Sequence, residues 1–183
     1  MFISDDMEIT VEIPEGIKIE LENFKVKVIG NKGTLEKDFY SPLFSKKISI
    51  KKNDNKILIT TESDRKKIRA MAGTIRSHIL NMMKGVNEGF TAKLKIVYMH
   101  FPFTVKISGS EVLVNNFLGE KTPRRTTIIG DCKVEIKGDE IFVTGISKED
   151  VGITAAKLEK VTWIKARDRR VFQDGCFITE KPK

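Results

Sequence analysis

The feature that most constrains this chain of 183 residues is an internal duplication. Short runs of β-branched residues recur in the same order, at a separation that shrinks in small steps along the chain. The matched runs are residues 13–19 with 101–107, 88 apart; 26–28 with 112–114, 86 apart; 48–51 with 134–137, 86 apart; and 57–60 with 141–144, 84 apart. Two copies of one fold, with short turns of different length, would produce this pattern.

Each copy combines strand patterns with one helical pattern. Apolar and polar residues alternate along the matched runs, as in strands with one buried face, and turn residues at 53–55 and 138–139 predict hairpins. Apolar residues then recur at helical spacing from Ile68 to Met82, with Gly85 as the expected end. In the second copy Ser147 opens a capping-box pattern before a stripe from Val151 to Val161. We therefore expect an α+β protein of two tandem domains, residues 1–86 and 87–183, each a small antiparallel sheet covered on one side by a helix.

The charge of the chain favours a polyanionic partner. Lysines and arginines exceed acidic residues by eight, and the excess lies towards the C-terminal half. Residues 1–24 hold seven acids and one base, whereas residues 160–183 hold seven bases and three acids. Nucleic acid is the partner that this balance favours over a membrane surface.

The sequence also limits where the protein works. No apolar run approaches the ~20 residues that span a bilayer, and the acidic start does not resemble a signal peptide. The sequence has two cysteines, Cys132 and Cys176, which are too few to stabilise the fold through disulfide bonds. We expect a cytoplasmic protein that has no membrane partner.

The segment NNFLGEKTPRRTT, residues 115–127, imitates a phosphate-binding nucleotide loop. The imitation fails because Glu120 separates Gly119 from Lys121 and would repel a phosphate, and because Pro123 follows where a helix should begin. We interpret Gly119 as a structural turn equivalent to Gly33 in the first copy. A phosphotransfer enzyme built on this turn is thus a rejected hypothesis. The role of Glu120 stays open, with Lys121 or Arg124 as its expected partner.

The segment Gly30-Asn31-Lys32-Gly33 resembles the Gly-x-x-Gly loop of a KH domain, which clamps single-stranded nucleic acid. The alternating residues that precede it favour a hairpin turn instead. A KH-like protein that binds single-stranded RNA is therefore the alternative function.

Enzyme chemistry and metal binding find little support in the sequence. His78, His100 and the two cysteines lack the close spacing of metal ligands, and both histidines suit packing or hydrogen bonding. We expect no catalytic residues, metal, cofactor or small-molecule substrate.

The C-terminal run KVTWIKARDRRVFQDG, residues 160–175, carries the strongest functional signal. It mixes five cations with Trp163 and Phe172. Guanidinium groups bind phosphate through a fixed fork of donors. Both aromatic rings are expected in the core of the second domain, and stacking on an unpaired base is the alternative.

Several segments together resemble protein six of the large ribosomal subunit, the universal L-six family, in its archaeal form. The resemblance covers nearly the whole chain. It is carried by TIRSHI (74–79), NMMKG (81–85), HFP (100–102), NFLGEK (116–121) followed by Arg124-Arg125, VGITAA (151–156) and RDRRVFQDG (167–175).

The resemblance implies tandem domains of one fold in a non-enzymatic protein that is a monomer within the ribosome. It also implies binding to large-subunit ribosomal RNA near the stalk base and the sarcin–ricin loop, beside neighbouring ribosomal proteins, in support of the elongation-factor site. In the family the second domain makes most of the RNA contacts. Carried onto this chain, the RNA-binding residues are Lys121, Arg124, Arg125, Lys165, Arg167, Arg169 and Arg170, and the structural turn glycines are Gly33, Gly119 and Gly175.

Overall fold

The computed structural model describes residues 7–63 and 65–183. The chain divides into two domains between Glu88 and Gly89. A boundary at 86/87, as predicted from the sequence, would cut the last turn of the first helix. The glycine that follows this helix has a φ of +77° at residue 89.

The elements of the first domain fill residues 7–87. Among its described residues these are β1 Met7–Glu12, β2 Lys18–Glu22, β3 Lys25–Gly30, β4 Gly33–Asp38, β5 Ile48–Asn53, β6 Lys56–Thr61 and α1 Lys66–Asn87. β1, β6 and β5 form one antiparallel sheet in that order, β1-β6-β5, and β2, β3 and β4 form another. α1 contacts β1, β6, β3 and β4, so that strands of both sheets share one apolar core with the helix.

The second domain repeats this order and adds a strand. Its elements are β7 Phe90–Val97, β8 Thr104–Ser108, β9 Glu111–Asn115, β10 Arg124–Thr127, β11 Lys133–Lys137, β12 Glu140–Gly145, α2 Lys148–Val161 and β13 Gly175–Glu180. One sheet has the order β11-β12-β7-β13 and the other β10-β9-β8. β7, β12 and β11 therefore stand where β1, β6 and β5 stand in the first domain. The added β13 pairs with β7 on the side away from β12.

The α+β class and the tandem arrangement are confirmed. Each domain contains two small sheets where the sequence predicted one, and the first strand of each copy, β1 and β7, was not predicted. The pairing also corrects one match. Ile19 pairs with Val28, and Val105 pairs with Val114, so Ile19 corresponds to Val105 at a spacing of 86 and not to Ile107 at 88.

The buried faces follow the predicted periods. Ile68, Ala72, Ile75 and Ile79 are buried along α1, and burying a large aliphatic side chain of this kind stabilises a fold by about 1.5–3 kcal/mol. α2 begins as the capping pattern predicted, since the Ser147 hydroxyl accepts a hydrogen bond from the backbone N–H of residue 150 at 3.2 Å. The predicted end at residue 85 is wrong, because the helix continues to Asn87.

Two-residue turns close five hairpins among the described residues. They lie at 23–24 between β2 and β3, at 54–55 between β5 and β6, at 109–110 between β8 and β9, at 138–139 between β11 and β12, and at 31–32 between β3 and β4. The last finding overturns the KH-like interpretation, because Gly30 and Gly33 are paired across a hairpin and do not join two helices. Gly30 has a separate steric reason to lack a side chain. A Cβ added there would lie 2.6 Å from Cγ2 of Val86 and 2.9 Å from its backbone oxygen.

Candidate nucleic-acid interface

Most of the cations predicted to bind RNA lie on the link between α2 and β13. We call residues 165–170 the arginine segment. Lys165, Arg167, Arg169 and Arg170 are all exposed there. Both ends of the link are fixed, because the Thr162 hydroxyl accepts a hydrogen bond of 2.9 Å from the backbone N–H of Cys176. The arginine segment is therefore a closed loop with anchored ends.

A buried carboxylate supports the far side of this loop. One oxygen of Asp174 accepts backbone N–H groups from Met99 at 2.7 Å and His100 at 3.0 Å. The other oxygen lies 2.8 Å from Nδ1 of His100. Burial alone would raise the pKa of Asp174, but these hydrogen bonds outweigh it and hold the pKa below its ordinary value. His100 thus has the hydrogen-bonding role that the sequence favoured.

Aromatic rings order two of the arginines. Phe172 stacks on His100 with ring centroids 4.5 Å apart, and the Arg167 guanidinium lies 4.8 Å from the centre of the Phe172 ring. Arg169 lies over Trp163 at 5.0 Å. Such cation–π contacts hold a guanidinium in place and leave its donors available. The expectation of a core position is wrong for Trp163, whose side chain is 49% exposed, whereas Phe172 packs against the core.

Arg170 differs from its neighbours because it has a carboxylate partner. Its Nη2 and Nε donate to Asp168 at 2.8 and 3.1 Å. The hydrogen bond from Arg170 lowers the pKa of Asp168. This pair is exposed to solvent, so it contributes little to stability.

The guanidinium of Arg124 binds acceptors that belong to the protein itself. Its Nε and Nη2 donate to the two carboxylate oxygens of Glu120 at 2.8 and 2.6 Å, and its Nη1 donates to the backbone oxygens of Val161 and Trp163, both at 2.9 Å. The guanidinium also lies 4.4 Å from the centre of the Phe117 ring. Glu120, unexplained by the sequence, is thus the partner of Arg124. Its hydrogen bond with Arg124 lowers the pKa of Glu120, and the nearby charge of Arg167 adds to the effect.

We call this set of contacts the Arg124 clamp. It ties the turn after β9 to the C-terminal end of α2, and it brings the predicted residues at 121–125 next to the arginine segment. Four of the five N–H donors of Arg124 are used by protein acceptors, so its binding to RNA stays a prediction that the geometry does not favour.

A second group of cations lies where α2 faces β10. Arg125, Lys157 and Lys160 line a shallow groove of about 370 Å³ between β10 and α2. Lys121 is exposed in the turn before β10. The sequence reasoning missed Lys157, although its position three residues before Lys160 places both on one helical face.

The predicted turn glycines differ in their surroundings. Gly33 is the first residue of β4, directly after a two-residue turn. Gly119 ends an irregular 3-10 turn, Phe117–Gly119, within a longer connection, and its φ of +79° favours glycine. Gly175 is the first residue of β13. The role of all three as turn residues stays a prediction.

Among the described residues, no group of three His, Cys, Asp or Glu side chains is placed to hold a metal ion. Neither described helix has the length and apolar character that a membrane crossing requires.

Comparison with known proteins gives the family. The model of the family described as Ribosomal protein L6 matches residues 5–89 and 101–175, one block in each domain. The chain belongs to the ribosomal protein L6 family. The large ribosomal subunit protein uL6 of Methanosarcina mazei is 46% identical over 172 residues, which cover 94% of this chain and 96% of that protein. The uL6 protein of Archaeoglobus fulgidus is 45% identical over 180 residues, or 96% of this chain and 90% of that protein.

These relatives confirm two predictions from the sequence. Both organisms are archaea, so this L6 protein is of the archaeal type that the sequence resembled. The family is one of ribosomal proteins, which confirms a non-enzymatic protein. The individual RNA-binding residues are a separate question.

Proposed function

We propose that this L6 protein is a structural component of the large ribosomal subunit in the cytoplasm, where it binds large-subunit ribosomal RNA through its second domain. The observation that carries the proposal is the arginine segment: a closed loop on which aromatic rings hold Arg167 and Arg169 while both residues are exposed to solvent. Within the described residues, neither guanidinium forms an ion pair with a carboxylate. Exposed cations with fixed positions are suited to phosphate contacts.

The binding surface that we propose has two parts. The arginine segment, with Lys165, forms the first part. Lys121, Arg125, Lys157 and Lys160 form the second. Contacts of this kind position RNA helices and respond to RNA shape more than to sequence. In the assembled subunit, a single copy of the protein would fix RNA packing near the stalk base and the sarcin–ricin loop, next to other ribosomal proteins, and so support the elongation-factor site.

The test is the salt dependence of binding to a large-subunit RNA transcript. Replacing Arg167, Arg169 and Arg170 with Ala should lower the slope of log affinity against log salt by about two to three units, at ~0.7–0.9 unit for each lost phosphate contact. The matched control replaces Lys18, Lys51 and Lys66, three exposed lysines of the first domain, with Ala. That control removes the same charge and should leave the slope nearly unchanged.

Equal losses in the two triple variants would contradict the proposal, because binding would then depend only on net charge. Sedimentation of the native protein adds a second test. We expect it to sediment with the large subunit and to resist a moderate salt wash, whereas recovery only in the free soluble fraction would count against a ribosomal role.

A further inference from the structure

A cavity beside the arginine segment has a lining that phosphate binding does not explain. We call it the aromatic groove. Its volume is about 920 Å³, within the range of small-molecule sites. The residues that matter most in its lining are Trp163, Phe177, Arg169, Lys160, Glu159 and Gln173.

The groove presents aromatic surface to solvent. The side chains of Trp163 and Phe177 are 49% and 39% exposed, although both belong to residue types that proteins usually bury. Contact with Arg169 accounts for the ring of Trp163, but phosphate binding does not require the exposed ring of Phe177 in the same groove. Exposed aromatic rings beside cations are the arrangement by which proteins stack unpaired bases, because every base has a π-face.

The charges around the groove match a nucleotide. Arg169 lies over the Trp163 ring, and Lys160 lines both the aromatic groove and the neighbouring groove of Arg125 and Lys157. A base in the aromatic groove would therefore have two cations nearby for its flanking phosphates. Glu159 and Gln173 in the wall each make one hydrogen bond within the protein, from the backbone N–H of Ile178 and to the backbone oxygen of Arg170. The remaining carboxylate oxygen and amide groups can hydrogen-bond to the edge of a base.

The Arg124 clamp and β13 give the groove a fixed shape. Arg124 donates to the backbone oxygen of Trp163, which holds the start of the link. Asp174 and the hydrogen bond from Cys176 to Thr162 hold its end. A preformed groove loses little conformational entropy when a ligand enters it.

We propose that the aromatic groove holds one unpaired base of the bound RNA, stacked on Trp163, with its neighbouring phosphates on Arg169 and Lys160. This inference rests on the proposed function, since it assumes that RNA is the ligand of the second domain. It adds a site for a single extruded nucleotide to a surface that otherwise contacts phosphates.

The test uses the native fluorescence of the protein, because Trp163 is the single tryptophan in the sequence. The probes are an adenosine ribotetranucleotide and an abasic ribose-phosphate chain with the same number of phosphates. We expect the adenosine probe to quench the fluorescence and to bind about ten-fold more tightly than the abasic probe, as stacking of one base provides. Both probes should show the same salt dependence, since they carry the same phosphates.

Two variants locate the effect. Trp163→Ala should bring the two probes to equal affinity, whereas Trp163→Phe should keep part of the preference because it keeps an aromatic face. The control is Phe101→Ala, which removes another half-exposed aromatic ring of the same domain that does not line the groove. It should leave the ten-fold preference intact. The unmodified protein gives the quenching result even if a variant fails to fold.

Failure of the inference can be told apart from failure of the proposed function. If the native protein binds large-subunit RNA with a steep salt dependence but does not distinguish the two probes, the base site is overturned and the ribosomal role stands. The base site is likewise overturned if Trp163→Ala keeps the full preference for the adenosine probe. If the native protein binds neither the transcript nor the probes, both proposals are overturned.

Discussion

Arg124 and Arg125 are adjacent and identical in the sequence, yet the structure gives them different roles. We predict that Arg124→Met destabilises the second domain, whereas Arg125→Met leaves its stability nearly unchanged and weakens RNA binding. Methionine keeps an unbranched apolar stem and removes the charge in both cases. The comparison therefore isolates the Arg124 clamp from the general effect of losing one cation.

The magnitude for Arg124 follows from its contacts. The bonds to the backbone oxygens of Val161 and Trp163 are each 2.9 Å long, and the side chain is only 22% exposed. Hydrogen bonds from a charged donor contribute about 1.5–3 kcal/mol each, with incomplete additivity. The ion pair with Glu120 adds ~0.2–1 kcal/mol because the Glu120 side chain is 42% exposed. We expect a loss of about 2–4 kcal/mol in the free energy of unfolding.

The assay is urea unfolding of the two variants, with RNA affinity measured at several salt concentrations. Arg125 is exposed and lies on β10, so its replacement should change stability by no more than about 0.5 kcal/mol. It should lower the salt slope by ~0.7–0.9 unit. Equal unfolding free energies for the two variants would refute the clamp, as would a loss of about 2–4 kcal/mol at Arg125 in place of Arg124.

Three further predictions concern stability and reactivity. Gly30→Ala should lower the free energy of unfolding by about 1–3 kcal/mol, because the added Cβ would overpack against Val86. Gly73→Ala in α1, where an added Cβ meets nothing within 4 Å, should raise the free energy of unfolding by roughly 0.5–1 kcal/mol. Urea unfolding midpoints equal to that of the native protein would contradict both predictions. Arg124 lowers the pKa of Glu120, so the stability that this ion pair adds is present above the ordinary pKa of 4.5 and is lost as the pH falls through the pKa of the folded protein. The unfolding free energies of the native protein and Glu120→Gln should therefore converge in acid. A difference between them that stays constant with pH would contradict the stabilising role of the ion pair. Burial raises the pKa of Cys176 to about 12, so a thiol reagent at neutral pH should leave it unmodified in the folded protein and react with it after unfolding, as peptide mapping would show.

The repeated elements could be predicted from the sequence because their periods are local. Alternation marked β3 and β9, helical spacing marked Ile68 and Ile75, and a serine marked the start of α2. The first strand of each copy was missed although Met7–Glu12 and Phe90–Val97 both alternate apolar and polar residues. Their place in a sheet could not be read from the sequence, because β1 pairs with β6, which lies far along the chain at Lys56–Thr61. β13 was missed for the same reason, as its partner β7 lies in a distant part of the chain.

The site was predictable in composition but not in detail. Clustered arginines predicted an RNA ligand, and clustering along the chain can be recognised without knowledge of the fold. The different roles of Arg124 and Arg125 depend on which side of β10 each residue occupies. The exposure of Trp163 depends on the path of the link between α2 and β13. Both are tertiary properties. A sequence that alternates basic and aromatic residues looks the same whether an aromatic ring is buried in the core or exposed to solvent.

β13 also sets the order in which the proposed RNA-binding surface can form. Hairpins such as β11–β12 join residues close in the chain, so they can form early in folding, whereas the pairing of β13 with β7 closes a loop of most of the second domain. The far wall of the aromatic groove and the anchor at Cys176 depend on this late pairing. A folding intermediate that has its helix and hairpins but lacks β13 would carry the arginine segment on a chain with only one anchored end. Stacking at Trp163 would then report completed folding of the domain, and an incompletely folded chain would hold RNA only by charge.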